Sequence, residues 1–467
     1  MVAGSIMHYR LTLLYVVAIG GLLIGWNGAF PLDDSYIVLH SARALLAGNV
    51  DQAYAVTPLT GATSSVHLAL VAALGAVLPL PVASITINAL AALAYALGLD
   101  ALARRAGAEG WKVPALVVLG FITDTTVINL FNGLETGLAM ATVAWLLTLA
   151  DDRRLPVLAG LAPFVRPELA VLSGLLLLRS VWLHGQAPKA AALALASAAP
   201  WAAWMWAETG SIIPATANAK LAFYAESRLP LELKLRASAG AIYNSGLVPI
   251  YAGLIGIARP KAGWCGAAFI ASILLLATLT LPSSLAWNYH RYLAVTIPVA
   301  IFGLASFAGD RTGPWAYALL AAFSVPGTYG AITELRQARA DYAQTLAAMD
   351  TMMNRLPPRA VILTHDAGMI AWTRPAAHII DVVGLKTPSS IAFHQRFTSE
   401  GCQWGQALDH IARAGKADHA LVQEVPFWSC VRTNLMQVGW RFELIGRAGK
   451  YGLYRISPPT AKSGADR

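Results

Sequence analysis

Apolar positions in this chain come in long blocks rather than in alternation. Runs with few or no charges occupy 11–30, 66–80, 82–103, 113–131, 134–150, 155–165, 168–181, 188–207, 246–258, 262–282, 293–309 and 313–330. A run of about 20 such residues is long enough to cross a bilayer as a helix. After the first run comes the first outer loop, 31–81, which is polar up to the second run. It opens with a predicted amphipathic helix over 35–47, where Tyr36, Leu39, Ala42 and Leu46 fall at helical spacing and Gly48-Asn49 suits the C-terminus. The run 66–80 is interrupted by Pro79 and bounded by Pro81, and reads as a juxtamembrane or re-entrant helix.

After about residue 335 the pattern changes. Strands are predicted at 360–364, 378–383 and 420–423, a helix start after His365-Asp366-Ala367-Gly368, a helix at 406–414 and a closing hairpin over 439–456. The chain therefore divides into a membrane domain, 1–335, and a small α/β domain, 336–467, within the usual size range of a domain.

Basic residues set the expected topology. Arg104-Arg105 through Lys112, Arg153-Arg154, Arg179 to Lys189, Arg259 with Lys261, and Asp310-Arg311 punctuate the apolar runs. Taking these loops as cytoplasmic makes each intervening pair of runs an excursion out and back. With a cytoplasmic N-terminus, parity then makes 82–103 the return crossing, gives about eleven spans by length, and leaves the C-terminal domain outside. The outer segment 208–245 carries Lys220, Arg228, Lys234 and Arg236. Two readings of it stay open, an anionic ligand or a solvated helix face.

Composition agrees with the pattern. Hydrophobic residues make up 57% of the chain and charged residues 13%, with a mean hydropathy of +0.55. Soluble domains carry about 25% charged residues, so a polytopic membrane protein is expected. The net charge of +9 is scattered between apolar runs and reads as topology signal, not as a nucleic-acid stripe. The run 11–30 is too long for a cleaved leader and no A-x-A site precedes Asp33, so a retained signal-anchor helix is the expectation. Cys265 sits in an apolar run as a packing residue. Cys402 and Cys430, both in the polar C-terminal part, are candidates for a disulfide if that part is exported, with two free thiols the alternative.

The chemistry-bearing positions gather at the outer ends of the runs. Asp33-Asp34 stand at the exit of the first run, where charges close to hydrocarbon are expensive and usually functional. Other outer ends carry Asn132-Gly133-Leu134-Glu135-Thr136, Arg166-Pro167-Glu168, a Trp-rich stretch with Glu208 followed by Pro214 to Lys220, and Trp287 to Tyr292. Interfacial anchoring accounts for the tryptophans but less well for Glu135, Arg166 and Glu168, which lie deep among apolar runs. Zinc spacing, a Walker or dinucleotide loop and a G-x-S-x-G elbow are all missing from the sequence.

In order along the chain these are an Asp-Asp pair after the first span, Gly133-Leu-Glu-Thr136, Arg166-Pro-Glu168, Pro214 with Asn218 and Lys220, His290-Arg291-Tyr292, Asp366-x-Gly368 and Asp381-Val-Val-Gly-Leu385. That order resembles the GT-C superfamily of integral-membrane glycosyltransferases, closest to the bacterial arabinofuranosyltransferase and mannosyltransferase-like branch with a small extracytoplasmic C-terminal domain. The resemblance implies a mainly α, polytopic helical bundle in the bacterial inner membrane. It implies a polyprenyl-phosphate-linked sugar donor, a glycan, lipid or protein acceptor on the outer face, and an inverting transfer. Asp33 or Asp34 would be the general base, with Asp33, nearer the apolar run, favoured. Arg291, His290, Lys220 and Arg166 would face the donor phosphate. Glu135, Glu168, Asn218, Tyr36 and Tyr289 would line the sugar and acceptor pocket. The paired carboxylates could also take a divalent cation, Mg, Mn or Ca, without specifying one. Two other readings compete. A lipid-linked glycan flippase or other secondary transporter should show interrupted repeats, and no convincing one is found. A scaffold or receptor gives no reason for the Asp-Asp pair.

Overall fold

The computed structural model describes residues 25–48, 50–123, 125–259, 261–307, 313–399 and 402–459. Most of the first apolar run, Asp124 and the Asp310-Arg311 pair lie outside them. The chain forms two compact units interleaved along the sequence. The first takes the N-terminal residues to Leu32 with Thr63–Ile213 and Leu231–Arg339; the second takes Asp33–Ala62, Pro214–Pro230 and Ala340–Arg467.

The first unit is helical. Three of its described helices, Leu80–Arg105, Ala187–Thr209 and Gly263–Thr280, are long and apolar enough to cross a membrane. Other runs give shorter helices, among them Ser65–Gly75, Thr136–Thr148, Leu155–Val165 and Leu169–His184. The single helix expected over 113–131 is two, Lys112–Phe121 and Thr126–Phe131. The break falls where Thr123, Thr125 and Thr126 cluster, short polar side chains that compete for backbone partners; Thr123 Oγ1 bonds back to Leu119 O. The run 293–309 likewise gives Trp287–Ala294 and Ile297–Phe307, and 246–258 gives only Val248–Tyr251 and a 3-10 turn, Ala252–Gly256.

Small residues bring the central helices together, as expected where apolar lipid offers no hydrophobic drive between helices. Gly98 faces Ala144, and Trp145 Nε1 donates to Ala94 O at 2.9 Å. Beyond the C-terminal end of Thr136–Thr148 the basic loops meet. Asp151 pairs with Arg105 and with Arg179 (2.5 Å), and Arg179 also donates to Ala150 O and Lys261 O at 3.2 Å. The loops at 104–112, 151–154, 179–189 and 259–261 thus share one face of this unit.

The second unit is built on a five-stranded sheet. Its strands are β1 (Val361–Thr364), β2 (His378–Asp381), β3 (His419–Gln423), β4 (Arg441–Ala448) and β5 (Tyr451–Ser457), in the order β2-β1-β3-β5-β4. β1 pairs in parallel with β2 and β3, and β5 runs antiparallel between β3 and β4. The predicted strands, hairpin and Gly405–Ala414 helix are present, while Ser389–Phe397 and Cys430–Gln437 are helices the pattern did not announce. Against the sheet domain lie the helix Asp33–Leu46, the loop after it and the helix Ala215–Tyr224. Trp404 stacks on Phe223 with ring centroids 4.2 Å apart and donates Nε1–H to Phe223 O. The helix Pro314–Met353 continues well past the apolar run that begins it, because its Ala-, Gln- and Arg-rich continuation favours helix without being apolar. Cys402 and Cys430, for which a disulfide and two free thiols both stood open, are free thiols in this structure.

Candidate active site

Two clusters of charged side chains hold the residues singled out in the sequence, one in each unit. In the first unit the organiser is Arg166, 1% exposed. It ends the helix Leu155–Val165 in an extended conformation, as the residue before a proline must when helical geometry is closed to it. Its guanidinium meets Glu168 at 2.5 Å, lies 3.9 Å from Glu135, donates to Arg291 O at 3.5 Å and sits 4.8 Å from the centre of the Tyr292 ring. Glu135 reaches it from the turn before Thr136–Thr148. Asn88 fixes that turn, accepting from Gly133 N at 2.8 Å and donating to Leu134 O at 3.0 Å. Gly133 has φ +85°, and a side chain there would run into the Phe30 ring.

Asn288, Tyr289 and His290 are all left-handed, with φ of 49°, 62° and 57°. Each such non-glycine residue costs about 1–2 kcal/mol, and strain of this kind concentrates at functional sites. Asn129 Nδ2 holds the turn through Tyr289 O at 2.7 Å, which delivers Arg291, buried, near Glu135. His67, buried on the helix Ser65–Gly75, also interacts with the Glu135 charge. Several atoms of this cluster are buried with no hydrogen-bonding partner among the described residues: both ring nitrogens of His67, Ser65 Oγ, Thr136 Oγ1, Glu135 Oε1 and Arg166 Nε. Buried polar atoms are nearly always satisfied in a finished protein, so the cluster is suited to receiving a polyhydroxylic or charged ligand.

In the second unit the adjacent aspartates part ways. Asp33 begins the helix Asp33–Leu46 and is 8% exposed. Its Oδ2 accepts from Gly368 N at 2.8 Å and its Oδ1 from Met369 N at 2.6 Å, so both oxygens cap the helix Ala367–Thr373. Gly368 permits this approach; a Cβ there would lie 2.1 Å from Asp33 O. Burial, and then the Asp366 carboxylate, push Asp33 well above the usual carboxylate range, against the pull of the two amides. Asp34 is half-buried, on the same first turn. Tyr36 is buried and packed against Tyr342, ring planes 8° apart. Asn218 is exposed and Lys220 half-buried on the helix Ala215–Tyr224. Among the described residues no group of three or more His, Cys, Asp or Glu side chains able to hold a metal occurs.

The structure thus brings together Arg166, Glu135, Glu168 and Arg291, and separately Asp33 and Asp34 with the C-terminal domain. The pattern of the sequence did not single out His67, although a histidine inside the apolar run 66–80 was a visible signal. It also missed Lys386, Asp51 and His40, which carry no spacing signal at all.

The whole of this architecture is similar to known structures. It matches ArnT from Cupriavidus metallidurans bound to undecaprenyl phosphate with a TM-score of 0.62 and 12% identity, over 96% of this chain and 98% of that one. The apo state of the same protein matches with a TM-score of 0.57 and 13% identity, over 97% of this chain and 98% of that chain. The chain shares the fold of that protein. The apo oligosaccharyltransferase of Archaeoglobus fulgidus is similar over 97% of this chain and 75% of that one, with a TM-score of 0.53 and 12% identity. At such identities the likeness is one of fold: a polytopic helical body with a C-terminal sheet domain. Residues 332–455 match a domain of unknown function, DUF8728. No curated protein matches the chain in sequence.

Proposed function

We propose that this chain is a glycosyltransferase of the bacterial inner membrane that moves a sugar from a polyprenyl-phosphate donor to an acceptor hydroxyl on the outer face. The sugar would be arabinofuranose- or mannose-like, and the acceptor a glycan, lipid or protein. The observation that carries this is the similarity to ArnT over nearly the full length of both chains, that protein having been captured with undecaprenyl phosphate. In this reading the N-terminus is cytoplasmic and the C-terminal domain extracytoplasmic, with about eleven crossings in which shorter helices act in pairs.

Asp34 is assigned as the general base in place of Asp33, whose two oxygens are engaged by backbone amides. It takes the proton of the acceptor hydroxyl as that oxygen bonds to the anomeric carbon. The bond from that carbon to the phosphate oxygen breaks, and the lipid phosphate leaves with the electron pair. One displacement inverts the anomeric centre. Arg291, His290 and Lys220 are assigned to the departing phosphate. Arg166 is assigned a different part from the one expected, because Glu168 and Glu135 already balance its charge; it holds those carboxylates toward the sugar hydroxyls.

The test is glycan and glycolipid analysis of a deletion strain, with the chain restored on a plasmid. Loss of one terminal sugar supports transfer. Accumulation of a complete lipid-linked glycan on the inner leaflet would overturn it in favour of a flippase.

A further inference from the structure

We propose that the C-terminal sheet domain is a positioning domain for the polar loop 33–62, and that Lys386 is the positioning residue joining them. The loop needs an outside support. Beyond Leu46 its described residues hold no helix or strand until Ser65, only the isolated bridge between Asp51 and Val56, and long irregular segments of this kind do not hold a shape alone.

The support comes from one side of the sheet domain. Besides the Asp33 cap, Tyr54 Oη donates to Ala367 O at 2.5 Å, and Arg43 donates to Ala371 O and Trp372 O at 2.8 and 3.0 Å. Ile379 N, in β2, donates to Ala53 O at 2.8 Å. Lys386 is the deepest of these links, 1% exposed. Its Nζ meets Asp51 Oδ2 at 2.8 Å, Thr60 O at 2.8 Å and Ser41 Oγ at 3.1 Å. An ammonium has three protons to donate, and here each goes to a different part of the loop: its helix, its middle and its closing turn. The lysine is itself held from below. Lys386 N donates to Asp381 Oδ2 and Val383 N to Asp381 Oδ1, both at 2.8 Å, which fixes the turn after β2.

A buried ion pair is a poor source of stability, since a well-packed apolar pair of the same volume often does as well or better. What an ammonium adds is direction toward three acceptors at once. The first turn of the same loop carries Asp34, so fixing 33–62 fixes the base; this part of the inference rests on the transferase reading.

The experiment uses the full chain in detergent, with Lys386→Met, Asp51→Asn and the double variant. Lys386→Met alone leaves Asp51 buried without its cation and is expected to melt early. The double variant removes both charges and is expected to recover the wild-type melting temperature. It should nevertheless show faster amide exchange across 33–62, with exchange in the helix Gly405–Ala414 unchanged. With synthetic polyprenyl-phosphate arabinofuranose or mannose as donor, its turnover should fall by about 10- to 100-fold at little-changed donor KM. Wild-type exchange in 33–62 for the refolded double variant overturns the proposal, as does faster exchange spread over the whole unit. Local exchange that rises in a protein with no wild-type transferase activity leaves the positioning role standing and removes the transferase reading.

Discussion

The two charged clusters differ in what they leave undone. Around Lys386, Asp51 and His40 the buried charges are paired: Asp51 Oδ2 forms an ion pair with Lys386, and Oδ1 meets His40 at 2.7 Å and accepts from Ala53 N at 3.1 Å. His40 Nδ1 in turn accepts from Arg43. Burial alone would raise Asp51, but His40 and Lys386 bring it down to about 2. Around Arg166, by contrast, His67, Ser65, Thr136 and Glu135 keep buried polar atoms without hydrogen-bonding partners among the described residues. An unmet buried donor or acceptor costs about 1–3 kcal/mol. This difference is what supports the proposal that the cluster around Arg166 lines the sugar pocket. The two neighbouring aspartates differ as well: Asp33 caps a helix with both oxygens, and Asp34 is the one proposed as the base.

The sharpest way to break this contrast is to exchange the aspartates. Asp34→Asn should lower transfer by about 10²- to 10⁴-fold while the protein melts as before. Asp33→Asn turns an amide NH₂ or a single acceptor toward two N–H donors, and should instead cost about 1–3 kcal/mol in thermal unfolding. If Asp33→Asn abolishes turnover with its melting curve intact and Asp34→Asn does not, the roles are reversed.

Next in size is Arg166→Met. Withdrawing the cation strands Glu135 and Glu168 and should destabilise the protein by about 3–5 kcal/mol, read from thermal melts in detergent. Thr136→Val separates stability from binding. Its hydroxyl bonds to no described residue, so melting should hold within about 1 kcal/mol, while donor KM rises about 3- to 10-fold, the worth of one hydrogen bond to ligand. A variant whose KM stays put would remove Thr136 from the pocket.

A last effect concerns pH and leaves both clusters untouched. His394 is fully buried, and burial lowers it to about 4 even though its ring bonds Val382 O and Thr398 Oγ1 at 2.7 Å. In the unfolded chain it titrates near 6.5, so between those values the folded form binds fewer protons. Its contribution to stability is therefore present at neutral pH and is lost as pH falls from about 6.5 toward 4. His394→Gln should lose about 2 kcal/mol less than wild type between pH 7 and 5 in paired denaturation curves.

The sequence by itself determined the membrane class, the place where apolar runs give way to a sheet domain, and most of the strands, because each follows from a period of apolar positions that any solvent would sort. It also marked Glu135, Arg166 and Arg291, since charges beside apolar runs are too costly to be incidental. Which helices break early was only half legible: the threonines near 123–126 were visible, whereas the left-handed turn at 288–290 has no glycine to announce it. The difference in surroundings between Asp33 and Asp34 was not legible at all. Of two identical side chains one residue apart, it is Asp33 that the backbone amides of Gly368 and Met369, some 335 residues later, come to. Lys386 is the same case. In the sequence it is one cation in a loop; in the fold it has three acceptors, gathered from three parts of a distant segment. Periodicity encodes how an element sorts between core and surface. It does not encode which polar atoms meet across hundreds of residues, and that is what the tertiary structure decided.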